Sequence, residues 1–180
     1  QLMKLTFHQL YFGNMQHLAI IMDGNRRWAH ENALAVVSGH DKGAQTLSEI
    51  GHEVARLKIP FLTVFAFSSE NWRRSKTEVN ALFGLMMRYL KQEIKNLISK
   101  DIKLKIIGDV TPFPEDLQLL FKDAESKTQN NISMTLTIAV NYGGLQDIVY
   151  AASNFDEKNP NLFSDEILEK FKSNFCLLYT

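Results

Sequence analysis

A chain of 180 residues that is 45% hydrophobic and 22% charged can bury one full core, which excludes a disordered or fibrous protein. Twenty basic and twenty acidic residues cancel, so no general basic field draws the chain to nucleic acid, and any anion site must be local. The single cysteine, Cys176, excludes an intrachain disulfide framework and a cysteine-built zinc site, and fits a reducing, cytoplasmic setting.

Residues 1–14, QLMKLTFHQLYFGN, lack a small-residue cleavage site behind a long apolar run. They are expected to be a leader segment or a remnant of expression, with one domain covering 15–180. The first strand is expected at 17–22 and runs straight into Asp23-Gly24-Asn25, a turn sequence, and then Arg26, Arg27 and Trp28. A carboxylate at a strand end can hold a divalent cation, while Gly and Asn backbone amides and two guanidinium groups can hold phosphate oxygens. A plain turn followed by a solvated arginine pair is the competing reading. His40 lies in Ser38-Gly39-His40-Asp41-Lys42-Gly43, just ahead of a helix expected at 41–58. There it reads either as a phosphate donor at a helix start or as part of a capping segment.

The second strand, 61–67, leads into Ser68-Ser69-Glu70-Asn71-Trp72-Arg73-Arg74, where hydroxyls, a carboxylate, an amide and a guanidinium offer a second anion-binding centre. Trp72 reads equally as a packing anchor or a substrate contact. The helix expected at 76–99 is apolar on more than one side: Val79, Leu82, Phe83, Met86 and Leu90 form one stripe, widened by Leu85, Met87 and Tyr89. Such a helix is buried on both sides, against the sheet and a neighbour or against an apolar tunnel. A third strand at 102–107 exits at Gly108-Asp109, a helix follows at 114–128, and a fourth strand at 133–140 exits at Asn141-Tyr142-Gly143-Gly144. Further helices are expected at 144–155 and 164–175. No run of about eighteen apolar residues occurs, so no transmembrane helix is expected, and contact with a membrane surface stays open.

Strands alternating with amphipathic helices predict a single α/β domain with a mostly parallel sheet. All four strand exits are polar. In open α/β sheets ligands bind beyond the carboxyl ends of the strands, so these exits are expected to converge on one site.

The segments HLAIIMDGNRRWA, GHDKGA, TVFAFSSENWRRS, LKIIGD and LTIAVNYGG resemble, in that order, the cis-prenyltransferases of the bacterial undecaprenyl diphosphate synthase type. The resemblance implies a central parallel sheet flanked by helices that enclose a hydrophobic tunnel. It implies a cytoplasmic homodimer, with peripheral membrane contact for product release, that uses Mg²⁺ to condense isopentenyl diphosphate onto farnesyl diphosphate with Z geometry. Asp23 would then be the catalytic carboxylate that handles Mg²⁺, and Gly24, Asn25, Arg26, Arg27 and His40 would cradle the allylic diphosphate, with Trp28 at the mouth. Ser68, Ser69, Glu70, Trp72 and Arg74 would bind the second substrate, and Asn71 would assist proton removal. Ala44 and Ala66 would lie beside the growing chain, Leu85 and Met86 in the tunnel wall, and Met134 near its closed end.

Some positions depart from the family pattern. Val36 stands where an arginine is usual, Ser75 where a proline is usual and Leu145 where an arginine is usual. The sequence ends at Phe175-Cys176-Leu177-Leu178-Tyr179-Thr180 without the RTGGE…R-SNF segment that the resemblance places next, so the domain is expected to be truncated. A non-catalytic, prenyltransferase-like subunit and a Mg²⁺-dependent phosphohydrolase using Asp23 remain alternative readings.

Overall fold

The computed structural model describes residues 15–144. The segment 1–14, the helix expected at 164–175, all but the first residue of that expected at 144–155, Leu145 and Cys176 lie outside the described residues. Strand β1 (His17–Ile21) is followed by a short helix α1 (Asn25–Glu31) and by α2 (Val36–Arg56). Then come β2 (Phe61–Ser68), a 3-10 turn (Ser69–Arg73), α3 (Lys76–Ser99), β3 (Ile102–Ile107), α4 (Glu115–Thr128) and β4 (Met134–Tyr142). The four strands pair in the order β1-β2-β4-β3, all parallel, with Ile20 opposite Val64, Val64 opposite Ile138 and Ile106 opposite Ile138. Parallel pairing of every strand puts their carboxyl ends on one edge, as the alternating sequence pattern requires.

One sheet face carries Leu62, Val64, Leu104 and Met134 into a core completed by Val79, Leu82, Phe83 and Leu90 of α3 and by Leu117 and Phe121 of α4. Side chains on a strand alternate between faces, yet Phe67 joins the same core as Leu62 and Val64. The register shift between Phe65 and Phe67 explains this, because one extra residue reverses the parity of those that follow. The free edge of β3 is covered in an unusual way: the Leu104 amide donates to Thr128 Oγ1 (3.0 Å) and the Ile106 amide to Glu125 Oε1 (2.8 Å). Side chains of α4 thus satisfy edge amides that would otherwise template another strand.

Two elements differ from the sequence expectation. Helix α1 occupies a stretch read as a turn and a basic cluster, too short for a helical period to show. Helix α2 starts at Val36, not at 41, with Ala35 as its cap. β-branched Val36 and Val37 followed by Ser38 and Gly39 argue locally against a helix, but packing on α1 overrides that propensity. The contact is tight: a Cβ at Gly39 would lie 2.1 Å from the Asn25 carbonyl oxygen, and one at Gly43 would lie 2.6 Å from Asn25 Oδ1. His40 therefore lies one turn inside the helix and not at its start.

Two glycine substitutions should move stability in opposite directions. Gly39→Ala drives a methyl into the Asn25 carbonyl and is expected to cost about 2 kcal/mol, the scale of overpacking a tight contact. Gly84→Ala, exposed in mid-α3 with nothing within 4 Å of the added methyl, should stabilise by about 1 kcal/mol through helix propensity. Urea denaturation midpoints read both.

Candidate active site at the carboxyl edge of the sheet

Beyond β1 the chain turns at once. The Asp23 amide donates to the Ile21 carbonyl (3.0 Å), and Gly24, at φ +85°, caps α1 in the left-handed region that favours glycine. The Gly24 amide donates to Asp23 Oδ1 at 2.6 Å, and the other carboxylate oxygen makes no hydrogen bond among the described residues. Asp23 is exposed, and with Gly24, Asn25, Trp28, Lys42 and Gly43 it lines a shallow cavity of about 390 Å³.

Asn25 also faces a second cavity, of about 120 Å³, together with His40, Ala66, Asn71, Arg74, Leu85 and Met86. The structure thus brings residues from the first, second and third polar segments of the sequence to one place. A third cavity, of about 140 Å³ and almost wholly apolar, shares Ala44, Leu47 and Tyr89 with the second. It continues over Leu62, Leu104, Leu136 and Ile138 to Met134 at the amino edge of the sheet. Charged groups therefore line one cavity and hydrocarbon the neighbouring one, with Ala44, Leu47 and Tyr89 on both.

The centre of the charged end is a residue that the sequence reading passed over. Glu78 Oε1 accepts from Arg74 Nη1 at 3.0 Å and lies 3.4 Å from His40 Nε2 and 3.9 Å from Arg26 Nε. Its side chain is only 15% exposed, against 54% for Arg26. Glu78 stands three residues after Ser75, whose hydroxyl accepts the Glu78 amide at 3.2 Å. The serine-x-x-glutamate spacing at a helix start is the signal that could have found it. Burial is the largest influence on His40 and lowers its pKa; the Glu78 contact opposes this and the Arg74 charge reinforces it.

The segment after β2 divides between the site and the core. The Ser68 amide donates to Asn71 Oδ1 (3.1 Å) within a reciprocal cap, which fixes the Asn71 side chain against the cavity. Trp72 is committed to packing: its ring stands edge-on to Phe67, Phe83 and Phe113, and its Nε1 donates to Asn141 Oδ1 at 2.8 Å. Asn141 in turn donates to the Asp109 carbonyl (2.9 Å), so the third and fourth strand exits are tied to the second. Ser69 is half-buried, and Glu70, Arg27 and Trp28 are exposed on the rim.

Among the described residues no three acidic, histidine or cysteine side chains cluster to form a protein-built metal cage. A lone exposed carboxylate suits Mg²⁺ bound jointly by one acid, water and substrate phosphate, which is how that ion is often held. Asp23 is the residue that fits.

A parallel sheet with a cationic carboxyl edge opening onto an apolar cavity defines an α/β protein suited to ligands with an anionic head and a hydrocarbon tail. The family model described as "Putative undecaprenyl diphosphate synthase" matches residues 21–177, and the chain belongs to that cis-prenyltransferase family. It is 47% identical over 154 residues to the ditrans,polycis-undecaprenyl-diphosphate synthase of Pasteurella multocida, covering 84% of this chain and 64% of that protein. It is 43% identical over 166 residues to an isoprenyl transferase of Prochlorococcus marinus, covering 86% of this chain and 61% of that protein. The chain therefore spans less than two thirds of the length of these relatives. Among solved structures it resembles lavandulyl diphosphate synthase of Lavandula x intermedia in complex with dimethylallyl diphosphate, with a TM-score of 0.75 and 36% identity. That likeness covers 87% of this chain and 66% of that one. It also resembles a probable undecaprenyl diphosphate synthase of Campylobacter jejuni, with a TM-score of 0.66 and 25% identity over 83% of this chain and 69% of the other.

His17, whose Nε2 lies 2.8 Å from Thr63 Oγ1, shares the lowered pKa of His40, again through burial. Both rings are held neutral in the folded chain and bind a proton more readily unfolded. Their contribution is complete above the ordinary histidine value near 6.5 and is lost as pH falls below it. The thermal midpoint should therefore drop between about pH 7 and pH 5. A His17→Gln/His40→Gln double variant should show a flatter decline.

Proposed function

We propose that this chain carries the allylic-substrate half of a Z-specific isoprenyl diphosphate synthase, which condenses isopentenyl diphosphate onto farnesyl diphosphate to build a polyprenyl diphosphate. The observation that supports the reading is a pair of neighbouring cavities, one lined by Asn25, His40 and Arg74 and the other reaching Met134, with Ala44, Leu47 and Tyr89 lining both. A diphosphate fits the first and an isoprenoid chain the second. The curated names of the relatives support the same chemistry.

In this reading Gly24, the Asn25 amide, the guanidinium groups of Arg26 and Arg27, and the His40 ring hold the allylic diphosphate at the sheet edge. Asp23 would hold Mg²⁺ against the diphosphate, where the ion supplies positive charge for the leaving group. The C4 alkene carbon of isopentenyl diphosphate bonds to C1 of the allylic chain as the C1–O bond breaks, positive charge falls on C3, and loss of a proton from C2 restores a double bond. Negative charge builds on the departing diphosphate, and prepositioned donors stabilise it most where it develops. Glu78 already neutralises Arg74 in the ligand-free arrangement, so diphosphate binding must compete with an internal carboxylate.

The Asn71 amide oxygen accepts from the Ser68 amide, and an amide is a poor base on its own. Its part is to position the isopentenyl group, with the proton passing to diphosphate. The second diphosphate is assigned to Ser68, Ser69, Glu70 and Arg74, with Trp72 shaping the floor from within the core. Val36 falls in the first turn of α2. The homodimer and the peripheral membrane contact belong to the same reading and rest on the family resemblance; no helix among the described residues is long and apolar enough to cross a membrane.

Incubation with farnesyl diphosphate, labelled isopentenyl diphosphate and Mg²⁺ tests the proposal. A labelled polyprenyl product supports it, release of phosphate alone would favour the hydrolase, and no turnover would favour the accessory subunit. Asn71→Ala should lower kcat by about 100-fold with little change in KM, the scale of a misplaced reacting group. Ala66→Leu places bulk in the wall shared by Asn71, Leu85 and Met86 and should shorten the product; unchanged chain length would sink the tunnel assignment.

A further inference from the structure

The turn at Ser69–Arg73 carries Asn71 and leads directly to Arg74, and the strand before it is irregular. Register shifts against β4 fall on both sides of Phe67, so the β2 ladder loses its regularity just where the turn begins. Asn141 of β4 reaches the turn from the neighbouring strand. This residue is 8% exposed and sits at φ +46°, a left-handed backbone that asparagine tolerates better than most residues but still adopts at a cost. Its side-chain amide bridges two strand exits: Oδ1 accepts from Trp72 Nε1 at 2.8 Å, and Nδ2 donates to the Asp109 carbonyl at 2.9 Å. An amide offers an acceptor and a donor at once, whereas aspartate would lack the donor and leucine both. The anchor beneath it is close-packed. A Cβ at Gly108, which sits at φ +102°, would lie 1.9 Å from the Val140 carbonyl oxygen, so the third strand exit is pressed against the fourth where Asn141 bonds to it.

We propose that Asn141 is a positioning residue: through the Trp72 indole it fixes the turn so that Asn71 and Arg74 face the cavity they line with His40. The inference rests on the functional reading above, which gives Asn71 and Arg74 to the isopentenyl substrate. Trp72 stands between them in sequence, with its indole packed on Phe67, Phe83 and Phe113 at ring separations of 5.1, 5.7 and 5.5 Å. Ring contacts of this kind tolerate sliding and tilting, whereas an Nε1–H bond has one direction. Packing therefore sets how deep the indole lies, and Asn141 sets how it is turned. The backbone on either side follows: the Arg74 amide donates to the Asn71 carbonyl at 3.1 Å, and Asn71 Oδ1 accepts from the Ser68 amide at 3.1 Å. A reacting group displaced by about 1 Å loses much of its effect, so such an anchor matters to turnover without touching substrate.

Amide hydrogen exchange and ligand binding on the 180-residue chain test this together. Asn141→Leu should quicken exchange of the Ser68 amide about tenfold as the Asn71 cap loosens, while the Leu104 amide, held by Thr128 on the far edge of the sheet, keeps its rate. Trp72→Phe keeps an aromatic ring in the cluster and should do the same, so it reports even if the leucine variant folds poorly. Binding of isopentenyl diphosphate should weaken about tenfold in each single variant and no further in the double variant, since the two side chains act as one contact. Binding of an unreactive farnesyl thiodiphosphate should be unchanged, which a general loosening of the fold would not allow. Parallel weakening of both ligands, losses that add in the double variant, an unchanged Ser68 amide, or equal acceleration at Ser68 and Leu104 each overturn the role of Asn141. Failure of the unmodified chain to bind isopentenyl diphosphate overturns instead the reading of the site, and the exchange rates still decide whether Asn141 holds the turn.

Discussion

The contact on which the site depends is the approach of α2 to the first turn of α1, closed by Gly39 and Gly43 around Asn25. With any side chain at Gly39 the Asn25 carbonyl would be struck at 2.1 Å, so the two helices could not meet at this distance. Because they do, His40 is carried to within 3.4 Å of Glu78 on α3, and Arg26 of α1 reaches the same carboxylate. Three stretches far apart in sequence are locked into one charged centre by a place where two side chains are missing. Gly24 contributes a different freedom, a left-handed backbone, that turns Asp23 outward while its own amide binds the carboxylate.

Glu78 gives that centre its electrostatic character. Two guanidinium groups, Arg26 and Arg74, converge with the His40 ring on one patch, and without an anion among them the repulsion of the two arginines would oppose folding. A carboxylate on the first turn of α3 solves the problem internally and sits favourably near that helix's amino end. On the proposed function, a diphosphate entering the cluster would replace one anion by another. It therefore gains less than bare charge counting suggests, and more of its selectivity rests on geometry and on Asp23.

Much of this was legible in the sequence because its signals are local. The strands at 61 and 102 and the helix at 76–99 follow from periodicity and apolar content, and the two-sided apolarity of 76–99 corresponds to a helix with Val79, Leu82 and Phe83 in the core and Leu85, Met86 and Tyr89 on the cavities. What was not legible depends on contacts across the chain. The start of α2 at Val36 runs against local propensity and is set by α1. The parity switch at Ala66 and Phe67 comes from a register shift against β4, which no single-strand pattern announces. Trp72 offered two equal readings because an indole carries the same area in a core as in a site, and only its aromatic neighbours and the Asn141 hydrogen bond decide for packing. Glu78 was hidden for a simpler reason: a glutamate three residues into a helix looks like a cap, and it is one, with its carboxylate left over for other work.

Helices α2 and α3 each pass through the same sequence of chemistries. Near their starts they carry His40, Asp41 and Glu78; further on, Ala44, Leu47, Leu85, Met86 and Leu90; and then Ser48 and Glu93 meet across the gap. Between these zones Asp41 accepts from Arg88 and from the Tyr89 hydroxyl (3.1 Å), tying the helices together beside the residue that lines both cavities. On the proposed function, the head and the tail of the ligand would therefore meet the same two helices. Any shift of α2 against α3 that accommodates a diphosphate at the Glu78 end must be absorbed by the Asp41 and Glu93 contacts. Because packed helices move as rigid bodies, a change at the Glu78 end would be felt along the cavity that α2 and α3 share.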